Sequence, residues 1–154
     1  MENKILVAIN FNNSFKKKLT NVQKKIETNF LRKAPVKWTR QENLFLYLGY
    51  TEKFEKVIKS HKPFSISFNQ VDFCNKMIWI FGEENKILKN LQNEFEISNF
   101  IPHITLGRLQ MMQFNKINKD EIPQINDEIL IDLRTKVKSI EFIKNNSLLK
   151  NIQL

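Results

Sequence analysis

The sequence predicts an α+β fold of two halves, each contributing one motif strand, and two observations carry that expectation. Apolar residues recur at every second position in several short stretches and at every third or fourth in others, the periods of half-buried strands and amphipathic helices. One segment also recurs. Phe45-Leu46-Tyr47-Leu48-Gly49-Tyr50 aligns with His103-Ile104-Thr105-Leu106-Gly107-Arg108 at a constant offset, and the Leu-Gly pair coincides. Each half of the chain thus contributes one such strand.

In chain order, Lys4 to Phe11 sets Ile5, Val7, Ile9 and Phe11 on one side and predicts a strand. Ser14 to Phe30 places Phe15, Leu19, Val22, Ile26 and Phe30 on one stripe of a helix, with Asn13 or Ser14 as its cap. Leu44 to Tyr50 predicts the first motif strand, and Thr51 to Ser60 a short helix presenting Phe54, Val57 and Ile58. Pro63 to Phe68 alternates Phe64, Ile66 and Phe68 against Ser65, Ser67 and Asn69, the pattern of a half-buried strand. Met77 to Phe81 is a continuous apolar run ending at Gly82 and predicts an interior strand. Asn85 to Phe95 predicts a helix with Ile87, Leu88, Leu91 and Phe95 inward, and Ile101 to Leu109 the second motif strand. Met111 to Asn126 is polar, and Pro123 argues against a long helix there. Ile129 to Leu133, Val137 to Ile143 and Leu148 to Leu154 predict closing strands.

The 154 residues suit one domain spanning 1–154, since no Pro/Gly/Ser-rich linker divides them. No stretch is long and apolar enough to cross a membrane, and the N-terminal residues suit a first strand rather than a secretory signal. A single cysteine, Cys74, excludes an internal disulfide and fits a cytoplasmic location. The formal charge of +9 suits an anionic partner such as RNA. Part of that excess, Lys16-Lys17-Lys18 with Lys24-Lys25, falls on the polar side of a helix, where solvated charge is the ordinary expectation. The two histidines and one cysteine are too scattered for a zinc site, and the isolated glycines form no phosphate loop.

The recurring segment carries the chemistry. Residues i and i+2 of a strand share a face, so His103 and Thr105 can reach one ligand together, as can Phe45 and Tyr47. Phe100-Ile101-Pro102-His103-Ile104-Thr105-Leu106-Gly107-Arg108 resembles the second His-x-Thr motif of the 2H phosphoesterases. The branch it most resembles is the RNA 2′,3′-cyclic phosphodiesterases, also called 2′-5′ RNA ligase-like proteins. Trp38, Glu42-Asn43-Leu44 and Leu48 frame the first motif in the same way. So do Leu6-Val7-Ala8-Ile9, Pro63-Phe64, Phe73, Met77-Ile78-Trp79-Ile80 and Val137 to Phe142 in their places, although the glycine and tyrosine usual after that last segment are missing.

The resemblance implies an α+β fold of two pseudo-symmetric lobes of antiparallel sheet with helices outside, around a basic cleft that binds RNA or an oligonucleotide with a cyclic or 2′-5′ phosphodiester. It implies no metal or organic cofactor, and a monomer is expected. In the family, one histidine takes a proton from the attacking oxygen, the other protonates the leaving oxygen, and the threonines bond the non-bridging oxygens. Carried over, the catalytic candidates are His103 and Thr105, with Phe45, Tyr47 and Arg108 as substrate-binding candidates. Phe45 and Tyr47 stand where the first histidine and threonine would be, and Phe45 can carry no proton. Losing one acid–base partner typically costs roughly a hundredfold to ten-thousandfold in rate, so weakened catalysis is expected, with a non-catalytic relative that binds RNA, a nucleotide or a protein partner as the alternative. Arg108 lies an odd number of positions from His103 and reaches the same ligand only if the strand bulges or ends there, a surface arginine being the alternative. His61, the other histidine, precedes Lys62-Pro63 and suits a solvated helix end.

Overall fold

The computed structural model describes residues 4–29, 36–52, 62–74, 76–83, 85–94, 96, 101–109, 133–145 and 147–153. Nine strands and two helices lie within them: β1 (Ile5–Asn10), α1 (Asn13–Asn29), β2 (Val36–Trp38), β3 (Phe45–Thr51), β4 (Phe64–Cys74), β5 (Met77–Gly82), α2 (Lys86–Glu94), β6 (His103–Leu109), β7 (Arg134–Val137), β8 (Ser139–Lys144) and β9 (Ser147–Gln153). A 3-10 turn, Gln41–Asn43, leads into β3. The helix expected over Thr51 to Ser60, His61, and the polar stretch from Met111 to Asn126 lie outside the described residues, apart from Thr51, which ends β3, and Glu52.

All strand pairs are antiparallel, in the order β7-β4-β5-β6-β3-β1-β8-β9, with β2 also paired to β6. The two halves, β7-β4-β5-β6 and β3-β1-β8-β9, meet at β3 and β6, where Leu46 pairs with Ile104 and Tyr47 with His103. Leu46 and Ile104 are equivalent positions of the recurring segment, so the pseudo-two-fold axis crosses this pair. The irregularities obey it too. The β1–β3 register slips between Val7 and Ala8, passing over Leu48, and the β5–β6 register slips between Ile78 and Trp79, passing over Leu106.

One face of the sheet carries the core. Val7, Ile9, Leu46, Leu48, Ile78, Ile80, Ile104 and Leu106 are fully buried, together with Leu19 and Ile26 of α1 and Leu91 of α2. The helix caps differ slightly from the sequence reading. Asn12, one residue before the expected Asn13 or Ser14, caps α1 by accepting the Phe15 amide at 2.8 Å. Asn85 caps α2, accepting the Ile87 and Leu88 amides at 2.9 and 3.2 Å.

Two strand expectations need correction, for one physical reason. The strand expected to end at Phe68 continues to Cys74, because a register shift between Phe68 and Gln70 moves the buried positions from Phe64, Ile66 and Phe68 to Val71 and Phe73. The single strand expected from Val137 to Ile143 is two. Val137 is buried at the end of β7, paired to β4, while Ile140 and Phe142 are buried in β8, paired to β1 in the other half. A strand with period two cannot bury residues 137, 140 and 142 on one face. Leu133, the described end of the strand expected from Ile129, is not in a strand, and the rest of that segment lies outside the described residues. Strand β2 is too short to show a period, and the sequence carries no signal for it.

Candidate functional site

The face of the sheet opposite the core gathers the recurring segments. Cross-strand partners share a face. Trp79 is opposite Thr105 and Phe81 opposite His103, Tyr47 is opposite His103, and Ala8 and Asn10 are opposite Tyr47 and Phe45. Beyond them Glu141 is opposite Ala8. A row of side chains therefore runs across both halves, with His103 and Thr105 on one side of the central strand pair and Phe45 and Tyr47 on the other.

Arg108 joins this row. Met77 is its partner, and Met77 lies two residues from Trp79 on β5, so the slip at Leu106 returns Arg108 to the face of His103 and Thr105. Its equivalent, Tyr50, is exposed next to the first half of the row. The Leu-Gly pairs that flank the slips coincide for different reasons. Gly49 has φ 125°, a conformation side chains rarely adopt. Gly107 instead makes room for β2, since a Cβ there would lie 2.9 Å from Trp38 Cε3 and 3.0 Å from Val36 Cγ1.

His103 is 6% exposed. Its ring stacks on Trp79 with centroids 3.8 Å apart and planes at 23°, and Tyr47 and Phe81 stand at 6.0 and 6.4 Å. Nδ1 lies 2.8 Å from the Ile101 carbonyl, which can only accept, so Nδ1 carries the proton and Nε2 is the basic nitrogen of the neutral ring. Burial among the aromatic rings lowers the His103 pKa below its ordinary 6.5, against the raising effect of the Ile101 carbonyl. The ring is thus neutral near pH 7, which suits a proton acceptor. Burial, and then Tyr50, raise the Tyr47 pKa above its ordinary value, so its hydroxyl stays a donor.

Two side chains that the sequence did not single out brace the motif strands. Gln23 of α1, 6% exposed, donates from Nε2 to the Leu106 carbonyl at 2.8 Å and to the Thr39 carbonyl at 3.0 Å. Gln92 of α2 donates to the Leu48 carbonyl at 3.0 Å. Each helix thus holds the slipped residue of the motif strand in the other half. Lys16 departs from the solvated reading of its basic run. Lys17, Lys18, Lys24 and Lys25 are exposed, but Lys16 is 5% exposed, with Nζ 5.2 Å from the centroid of the Phe45 ring. The available signal was its spacing from Leu19 and Gln23, which sets it on the inner side of α1.

Elsewhere, a groove of about 720 Å³ lies beside the start of β6, lined by residues that include Asn85, Lys86, Lys89, Gln92 and Ile101. Among the described residues no three His, Cys, Asp or Glu side chains gather as a metal site requires, and no helix is long and apolar enough to cross a membrane.

An antiparallel sheet whose halves meet at paired, equivalent strands, one of them bearing His-x-Thr, defines a 2H-phosphoesterase type of fold. Solved structures agree. LigT from E. coli, in apo form, matches with a TM-score of 0.69 at 16% identity, covering 99% of this chain and 97% of LigT. LigT complexed with 3′-AMP matches at 0.65 and 15% identity over 99% of this chain and 97% of that one. Usb1 from Kluyveromyces marxianus matches at 0.65 and 8% identity over 99% of each chain. The chain has the LigT-like 2H-phosphoesterase fold. No family model and no curated protein matches the sequence.

Proposed function

We propose that this protein recognises an RNA or oligonucleotide phosphodiester on the row centred on His103, and that it opens 2′,3′-cyclic phosphates slowly. One observation supports this above the others: the Ile101 carbonyl holds His103 as a neutral imidazole with Nε2 basic, on the same face as Thr105. A neutral imidazole accepts a proton from water at pH 7. In this reading Thr105 and the protonated Tyr47 hydroxyl donate to the non-bridging oxygens, and Arg108, brought to the same face by the slip, pairs with phosphate charge. The fold shared with LigT complexed with 3′-AMP supports a nucleotide as ligand. Phe45 supplies no proton, so the rate falls well below that of a site with two imidazoles.

A second reading, a nucleotide binder without turnover, is favoured by the 6% exposure of His103 beneath its aromatic neighbours. Single-turnover cleavage of a short RNA ending in a 2′,3′-cyclic phosphate separates the two. Wild type is run beside His103→Ala and the double change Phe45→His with Tyr47→Thr. Ring opening by wild type that His103→Ala abolishes supports the enzyme. Cleavage by the double variant alone supports the binder, and inactivity of all three folded proteins refutes the phosphodiester reading for this substrate.

A further inference from the structure

Catalysis on this face, if His103 is the proton acceptor, lacks a donor for the leaving oxygen, and the inference here rests on that reading. The position equivalent to His103 in the other half is Phe45, whose ring has no acidic proton. Above that ring stands an ammonium. Lys16 Nζ lies 5.2 Å from the Phe45 centroid, while the side chain as a whole keeps only 5% exposure. A lysine is almost never so covered unless its charge is paired. Its charged surroundings are Glu141 on β8 and Glu42 in the 3-10 turn, which act on it at longer range, and the aromatic face is its close contact. Glu141 is itself engaged by the Asn10 and Asn151 amides, each at 3.4 Å. Lys16 is therefore a cation over the ring that fills the position the pseudo-symmetry reserves for the mate of His103, with two carboxylates at longer range.

We infer that Lys16 is the second proton-transfer group of this site, a lysine ammonium that contacts the phosphodiester and protonates the leaving ribose oxygen where Phe45 has displaced an imidazole. The step balances. His103 Nε2 takes one hydrogen of water as the water oxygen bonds to phosphorus. The bond from phosphorus to one ribose oxygen of the cyclic phosphate breaks, and that oxygen takes its proton from Lys16 Nζ. Water's oxygen and other hydrogen end on the phosphate. Proton return through solvent, from His103 to Lys16, restores both groups. Burial lowers the Lys16 pKa from its ordinary 10.5, with Glu141 and Glu42 opposing, which makes the ammonium a better donor than an exposed lysine.

The test is the single-turnover pH–rate profile for the same cyclic-phosphate RNA, using the full chain as wild type, Lys16→Met and Lys16→Arg. Methionine keeps most of the buried stem, and arginine keeps the charge but holds its proton too tightly to give it up. Thermal melting shows whether each variant is folded. Lys16→Met is expected to lower the rate at least a hundredfold. Lys16→Arg is expected to lower it at least tenfold and to remove the fall in rate on the alkaline side. A folded Lys16→Arg protein with the wild-type rate and profile overturns proton donation, as does a Lys16→Met rate within threefold of wild type. If wild type and His103→Ala open the ring equally slowly, the proposed function falls and this inference with it, an outcome distinct from a failure of the Lys16 variants alone.

Discussion

Replacing Gln23 with Met tests whether the helices brace the motif strands. The change keeps side-chain length and packing but removes a buried amide that donates to Leu106 and Thr39 carbonyls at 2.8 and 3.0 Å. The Leu106 carbonyl retains the Thr39 amide at 2.9 Å, so the heavier loss falls on the Thr39 carbonyl. Each neutral hydrogen bond contributes about 0.5–1.5 kcal/mol net. Together the two give a destabilisation of about 2 kcal/mol. In a chain of this size that lowers Tm by roughly 4–8 °C. Thermal and urea melts followed by circular dichroism measure it, and an unchanged urea m-value would show that the unfolded state is not the source. Gln92→Met, at a half-buried position, is expected to cost less. A Gln23→Met protein that melts within one degree of wild type would refute the bracing argument.

Three further outcomes follow from the same geometry. Folded His103 binds its proton more weakly than the unfolded chain, so its contribution to stability is complete above pH 6.5 and is lost as pH falls through the folded value; the wild type should therefore lose more stability than His103→Phe between pH 7 and 5, and an NMR titration of His103 with a midpoint at or above 6.5 would contradict this. Gly49→Ala and Gly107→Ala should each destabilise by about 1–3 kcal/mol, but Trp38→Ala should offset only the Gly107 change, a coupling read from a double-mutant cycle of melts. Asn12→Ala removes the acceptor for the Phe15 amide and should cost about 1 kcal/mol in chemical denaturation, while the neighbouring Asn13→Ala should cost less than half of that.

Period and recurrence in the sequence reach most strands and both described helices, because each element buries one face and alternation records it. They fail where alternation changes phase. The register shift after Phe68 and the crossing at Lys138 both move the buried parity, and a reading based on a fixed period ends or fuses strands there. The candidate site follows the same rule. His103, Thr105, Phe45 and Tyr47 share a face by simple alternation and are legible. Arg108 is legible only as a condition on a bulge, which the slip at Leu106 satisfies.

Gln23 and Lys16 are hidden for a different reason. Each is a polar residue on an amphipathic helix, where a solvated face is the ordinary expectation, and only the strands that α1 crosses decide otherwise. The slip at Leu106 turns a carbonyl towards α1, and Gln23 must be long enough to reach it. Lys16 lies two turns earlier on the same side, close to the start of β3, where Phe45 offers a ring face in place of a competing imidazole. A histidine in place of Phe45 would put a second titratable group beside a buried ammonium, and each would suppress protonation of the other. Lys16 and Phe45 are therefore mutually compatible in a way that Lys16 and a histidine are not. The absence of an imidazole at position 45 and the presence of the buried lysine therefore form one feature of the row. The change Phe45→His made with Lys16 in place should then yield a less active protein than Phe45→His combined with Lys16→Gln, a comparison that single-turnover rates decide.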